Sequence, residues 1–291
     1  MIEPRGPFTL GSAARFIAGW PPANRPEAAA GDEAVVRLGF LVDNWSGHAS
    51  VSLRQTDEHG PVQGTIHEST AADDERVRAQ AARIVSLDHD GGGYADLGER
   101  DSVVGGLQQA SGWLRPVLFH SPYEAACWAV IGARIRQSQA ARLRDELSAA
   151  HGGRVRVEGE ELFTFPPPQR LLALREVRGL SEEKVRRLHA IARAALEGEL
   201  DRERLLAASH EEALAALRRL PGIGSFWAEG ILLRAVGTTD AITMAEREGR
   251  RKAAAHYEAP EVTGDDAAFV ALAERWRPFR TWVSVLLRAA G

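Results

Sequence analysis

Cysteine is almost absent from this sequence of 291 residues. The one thiol, Cys127, excludes an internal disulfide framework, a four-cysteine zinc site and an iron–sulfur cluster held by four cysteines. It lies in the apolar run AACWAVIGA, which reads as core and not as the setting of a nucleophile. A basic excess is missing too: 36 Lys and Arg against 40 Asp and Glu leave a formal net charge of −4. A polyanionic partner would have to be met by a local patch. No apolar stretch is long enough to span a bilayer, and MIEPRGPFTL lacks the apolar core and cleavage pattern of a secretory leader. No His/Asp/Glu set has convincing metal-ligand spacing. The Gly- and Asp-rich DHDGGGYADLGERD lacks the ordered spacing of a calcium loop and reads as a turn near a domain edge. Internal repeats and low-complexity blocks are absent as well. The expectation is a soluble, cytosolic protein.

What is present is enough apolar residue, 44% of the chain, to bury a sizeable core. SAARFIAG reads as a short helix. AVVRLGFLVD, HASVSLRQ and VQGTIHEST alternate and carry β-branched residues, the pattern of a small antiparallel sheet. AADDERVRAQAARIVSL then restores helical periodicity, with acids near its start. From Ser121 onward helical signals dominate. Ser121, Pro122 and Glu124 open a long helix as N-cap, first-turn proline and capping box, and the glycines Gly152 and Gly153 end it. Further helices follow at PPPQRLLAL, from Ser181, and from Ser209 with Glu212 as its capping-box partner.

LRRLPGIGSFWAEG sets a Pro-Gly-Ile-Gly turn between two helices. Gly222 and Gly224 permit unusual backbone angles and close approach of another molecule. The amides of Ile223, Gly224 and Ser225 fall where a helix begins, and free N–H groups there form an anion site that can hold phosphate without reading sequence. A plain helical corner is the competing reading. Arg234, Arg247, Arg250, Arg251 and Lys252 follow the turn, with Arg134, Arg136 and Arg142 on the long helix. They are candidates for tracking phosphates or, alternatively, a solvated helix face.

With these residues in view, LPGIGSFWAEGILLRAVGTTDAI resembles the helix-hairpin-helix of the base-excision DNA glycosylase superfamily. The likeness is to the AlkA type, 3-methyladenine DNA glycosylase II. HSPYEAACWAVIGARI, FPPPQRLLAL with ARAALEGEL, and WRPFRTWVSVLLR resemble the family's first long helix, middle helices and final helix. The resemblance implies an α+β fold: an N-terminal antiparallel β-sheet domain with helices at 1–112, then a two-lobed all-helical domain at 113–291. Within it the helix-hairpin-helix spans about 209–237, and the last helix packs back on the core. It also implies a bacterial cytosolic or nucleoid monomer acting on duplex DNA with a modified base. No cofactor is called for, and any monovalent cation at the hairpin is a matter of analogy.

The chemistry so implied breaks an N-glycosidic bond through an oxocarbenium-like transition state, with a carboxylate near the sugar. The family's aspartate falls here on Glu246, the same charge on a side chain one methylene longer. A displacement of about 1 Å can cost on the order of 100-fold in rate. Glu246 is therefore either the working carboxylate with adjusted geometry or a surface acid, with Asp240 and Glu248 as rivals. The family's glutamine falls on Ala133, its apolar wedge on Arg134, the aromatic after the catalytic acid on Arg247, and a pocket tryptophan on Arg288. Phe226 keeps an aromatic beside the hairpin, and Trp128 and Tyr123 complete the expected base pocket. Arginines in such a pocket would repel a cationic base and favour a neutral or acceptor-rich one. The lyases of the superfamily carry a lysine where Phe226 stands, so the expected enzyme is monofunctional, with water as nucleophile. Two other outcomes stay open: a catalytically weak lesion-sensing relative, and a helical interaction domain that uses the hairpin as a corner.

Overall fold

The computed structural model describes residues 1–22, 34–244 and 246–290. The three alternating runs pair as an antiparallel sheet in the order β1 (Ala34–Leu41), β2 (His48–Gln55), β3 (Val62–Ser69). Helices α1 (Leu10–Gly19) and α2 (Asp74–Ile84) cover one face, where Leu10, Ile17, Val77 and Ile84 meet Val36, Leu38, Phe40 and Leu53 in one core. Asp73 caps α2 by accepting from the Glu75 and Arg76 amides. The burial of β1 and β2 is nearly continuous, because a second sheet covers part of the other face. That second sheet is the hairpin β4 (Arg154–Val157) and β5 (Glu160–Phe163), which the helical reading of this region missed. Gly39 makes the close approach possible, since a Cβ there would lie 2.9 Å from Leu162 Cβ.

The segment expected as a Gly-rich turn is instead α3 (Gly92–Arg100), followed by α4 (Ser102–Ser111). Poor helix propensity is overridden by burial of Tyr94 and Leu97. The two helices touch through glycines: a Cβ on Gly105 would sit 2.5 Å from the Gly98 carbonyl oxygen.

The helical body is built around α5 (Pro122–Gly132), whose residues from Pro122 to Ile131 are all buried. Ser121 caps it by accepting from the Glu124 amide at 3.1 Å, while the Glu124 carboxylate lies 3.2 Å from His120 Nδ1. Cys127 is buried within this helix, and burial pushes its thiol well up, consistent with a core role. The expected single long helix is broken: Arg134 takes a left-handed φ of 60°, and the chain restarts as α6 (Gln137–His151). Next come α7 (Pro168–Leu172), α8 (Glu182–Leu196), α9 (Arg202–Ala207) and α10 (His210–Arg218), the last with the Ser209–Glu212 capping box in place. Then follow α11 (Ser225–Ile231), continued by a π turn at Leu232–Val236, α12 (Arg247–His256), α13 (Asp266–Glu274) and α14 (Arg280–Ala289).

The cores do not part cleanly near residue 112. One hydrophobic cluster joins Tyr94, Leu97 and Val104 to Phe269, Trp276, Trp282 and Leu286, so the last helix packs on α3 and α4 as well as α12. Arg115 is the rivet at this seam. Its guanidinium, 1% exposed, donates to the carbonyls of Arg5 (2.6 Å), Gly6 and Pro7, and lies 5.3–5.4 Å from the rings of Trp282 and Phe8. Burial lowers its pKa to about 10, so it is still a cation at neutral pH. Removing it strands several buried carbonyls, each costing about 1–3 kcal/mol. Arg115→Met is expected to lower stability by about 3 kcal/mol, read from the urea midpoint. An unchanged midpoint would sink this account.

Candidate active-site cleft

The turn between α10 and α11 separates the jobs of its two glycines. Gly222 has φ +93°, and a Cβ there would press on Arg187 Cδ at 3.1 Å, so glycine is needed for the fold itself. Gly224, the N-cap of α11, has φ −86° and ψ 178°, open to any residue, and a Cβ there would meet nothing within 4 Å. Its bareness leaves the main chain accessible without serving any packing need. Three of the expected anion-site residues behave differently from one another. The Ile223 amide is already bonded to the Leu220 carbonyl at 3.0 Å and its side chain is buried, so Ile223 anchors the turn. The amides of Gly222 and Gly224 donate to no backbone carbonyl among the described residues, and no side chain caps α11. Pro221, Gly224 and Ser225 are exposed. The free donors thus lie on Gly222, on Gly224 and on the first turn of α11, on either side of the spent Ile223 amide.

Beside this turn a cleft of about 150 Å3 opens, walled by Trp20, Phe119, Trp128, Phe226 and Trp227, with Glu246 and Arg288 at one side. A roomier hollow of about 440 Å3 adjoins it and shares Trp20, Gln137 and Arg288. Glu246 is the N-cap of α12. Its Oε2 accepts from the Gly249 amide at 2.8 Å and its Oε1 from Arg288 Nη1 at 2.8 Å. The extra methylene of glutamate folds back over the first turn of α12, and Gly249 makes the room: a Cβ there would lie 2.7 Å from Glu246 Oε2. Thr243, also on the cleft wall, donates its hydroxyl proton to the buried carboxylate of Glu229.

The other sequence candidates are distributed unevenly. Phe226, Trp128 and Arg288 line the cleft with Glu246. Tyr123 does not: it is fully buried, its hydroxyl donates to the Pro166 carbonyl, and it packs on Trp45 and Phe165. Arg247 is exposed and outside the cleft lining, because the first turn of α12 directs it away. Arg250 is a core residue, pairing with Asp266 at 2.5 Å, donating to the Val262 carbonyl and facing Phe269, so it is spent before any phosphate arrives. Lys252 donates to the carbonyls of Arg288 and Ala290, closing the C-terminus of α14. Arg251 is exposed but paired with Glu248, and Asp240 is clamped by Arg277 and Arg280 at the start of α14. Arg134 stands exposed at the left-handed corner between α5 and α6.

Sequence reasoning missed several members of the site. Trp20 caps the C-terminus of α1, far in sequence from the other aromatic walls, and no local pattern marks it. Arg234 lines the cleft instead of tracking along a surface. Gln137 lines the cleft, and Ala133 does not.

No family model matches the chain. A DNA-3-methyladenine glycosylase of Bacillus subtilis (strain 168) is 27% identical over 152 residues, 51% of this chain and 50% of that protein. The chain thus spans about half the length of the curated relative it matches. Among solved structures, a 3-methyladenine DNA-glycosylase from Archaeoglobus fulgidus superposes with a TM-score of 0.76 at 22% identity, covering 99% of this chain and 96% of that one. An 8-oxoguanine glycosylase/lyase from Clostridium acetobutylicum, solved with double-stranded DNA, gives 0.60 at 15% identity over 83% of each chain. The chain is a low-identity relative of the Bacillus subtilis protein and shares the fold of the two solved structures.

The contrast between the two glycines is measurable. Gly222→Ala is expected to destabilise by at least about 1 kcal/mol more than Gly224→Ala, because only Gly222 has a left-handed backbone. Equal unfolding midpoints for the two variants would contradict that assignment.

Proposed function

We propose that this protein is a monofunctional DNA glycosylase that removes a damaged base from duplex DNA as the first step of base-excision repair, acting as a monomer. The observation that carries the proposal is a fixed carboxylate, Glu246, in a base-sized aromatic cleft beside a hairpin with open backbone amides. The bare Gly224 and the first-turn amides of α11 would hold a phosphate, and Arg134 at its exposed corner would reach the duplex. The target nucleotide would leave the stack and enter the cleft against the rings of Phe226 and Trp128.

In the step so proposed, the bond between C1′ and the base nitrogen breaks and its electron pair departs with the base. Glu246 stabilises the positive charge left on the sugar, and a water oxygen then bonds to C1′, its proton passing to the departed base or to solvent. No lysine lines the cleft among the described residues, which favours water over an amine nucleophile. Arg288 has a double role. Its bond to Glu246 Oε1 orients the carboxylate and also offsets its charge, so the pair must loosen or turn as the sugar arrives.

A second reading rests on that same contact: a carboxylate held by Arg288 and by Gly249 suits a lesion-binding protein with little excision. Excision assays separate the two. Glu246→Gln should cut single-turnover excision by at least about 100-fold while leaving duplex binding intact. Gly249→Ala should also slow excision, and Glu246→Asp placed on Gly249→Ala should restore part of the rate, because the shorter acid no longer needs the space. A parent protein inactive on a broad lesion panel favours the binding reading. A parent whose activity survives Glu246→Gln removes Glu246 from the chemistry.

A further inference from the structure

We propose that Arg234 sets the substrate class, making the cleft select neutral bases with a hydrogen-bond acceptor edge over positively charged N-alkylated ones. The proposal rests on the glycosylase reading above and starts from a residue that the sequence assigns to phosphate tracking. Arg234 lies in the π turn that continues α11, and such turns often mark functional positions in helices. Its Nε and Nη2 both donate to the Val117 carbonyl, at 3.3 and 2.8 Å, while the Phe119 amide returns a bond to the Arg234 carbonyl at 2.7 Å. The guanidinium is therefore fixed, 4.1 Å from the centroid of the Trp20 ring and 5.1 Å from that of Phe16.

Aromatic cages bind cationic ligands because the ring faces are negative. In this cleft two of the five aromatic walls already carry a guanidinium. Trp20 carries Arg234, and Trp128 carries the buried Arg144, whose guanidinium lies 5.6 Å from its ring and donates to the Pro21 and Pro22 carbonyls. The charges tell the same story. Of the charged residues lining the cleft, Arg288 and Glu246 neutralise each other, and Arg234 makes no ion pair among the described residues. Burial and the nearby Arg288 lower its pKa to about 9, which leaves it charged at neutral pH. A cationic base would meet an uncompensated positive charge, with two of the three tryptophan walls already carrying a guanidinium.

A neutral base meets a different surface. Arg234 Nη1 carries no hydrogen bond among the described residues, so it can donate to a carbonyl or ring nitrogen. Thr243 has given its hydroxyl proton to Glu229 and can only accept from whatever enters the cleft. One donor and one acceptor suit a base edge carrying a carbonyl beside an N–H.

Single-turnover excision on duplexes carrying hypoxanthine (neutral, with that edge) or 7-methylguanine (cationic) tests this. For the full-length protein, each rate is divided by the spontaneous rate of base loss. Hypoxanthine is expected to lead, and Arg234→Gln should move the ratio at least 10-fold toward 7-methylguanine, with Arg234→Lys holding the parental order. A parent that prefers 7-methylguanine overturns the inference. So does a folded Arg234→Gln with an unmoved ratio. Should Arg234→Gln not fold, the parental ratio and Arg234→Lys decide. Should the parent excise neither base, the function reading is left to the broad lesion panel, and affinities for the two duplexes decide the inference: tighter binding of the hypoxanthine duplex supports it, and the reverse order overturns it.

Discussion

A buried guanidinium must find acceptors for its donors, and this fold is organised around meeting that demand. Arg83 donates to the His120 carbonyl, Arg115 to those of Arg5, Gly6 and Pro7, Arg144 to those of Pro21 and Pro22, Arg234 to that of Val117, and Arg250 to that of Val262. In each case the acceptor is main chain from another segment. Four of the five also lie over an aromatic ring. These contacts tie irregular backbone, which makes few ladder bonds of its own, to regular elements. An interior charge is costly unless it is bonded on several sides, so each arginine enforces the position of the strand of chain it holds.

The same logic reaches the cleft. Its walls come from the end of α1, the linker before α5, α5 itself, the start of α6, α11 with the π turn that continues it, the start of α12, and α14. Nothing but packing and these bonds brings Trp20 to within reach of Glu246. The extra methylene of glutamate is accommodated locally, by a glycine three residues on, and is anchored at long range by Arg288. The position of the carboxylate is thus a joint property of one residue type, one missing side chain and one distant cation.

How much of this could be read from the sequence follows from where each signal lives. The three strands of the first sheet were legible because alternation and turn residues are local. The cap of α10 was legible because Ser209 and Glu212 are three residues apart. The hairpin was legible as a motif, though the division of labour between Gly222 and Gly224 needed φ values and free space. α3 was misread because glycine propensity points one way and the burial of Tyr94 and Leu97 the other, and tertiary packing wins. β4 and β5 were passed over as short alternating runs inside a helical stretch. The arginines were the least legible. Arg250 sits in a basic run and Arg234 stands alone in an apolar stretch, and both read as candidates for tracking phosphates, yet one is in the core and the other in the cleft. Composition cannot separate an arginine that meets water from one that meets a carbonyl.

That ambiguity bears on how such a site can change. An aromatic wall with a free face can hold a cation from outside, and the same wall with an arginine laid across it cannot. The switch requires no alteration of ring content, only a side chain long enough to reach over the ring and a carbonyl to pin it. In this chain the pinning carbonyl belongs to Val117, in the linker between the sheet layer and the helical body. The linker therefore does more than connect. By holding Arg234 over Trp20, it joins the packing of the N-terminal segment to the charge of the cleft, so that neither can vary without the other.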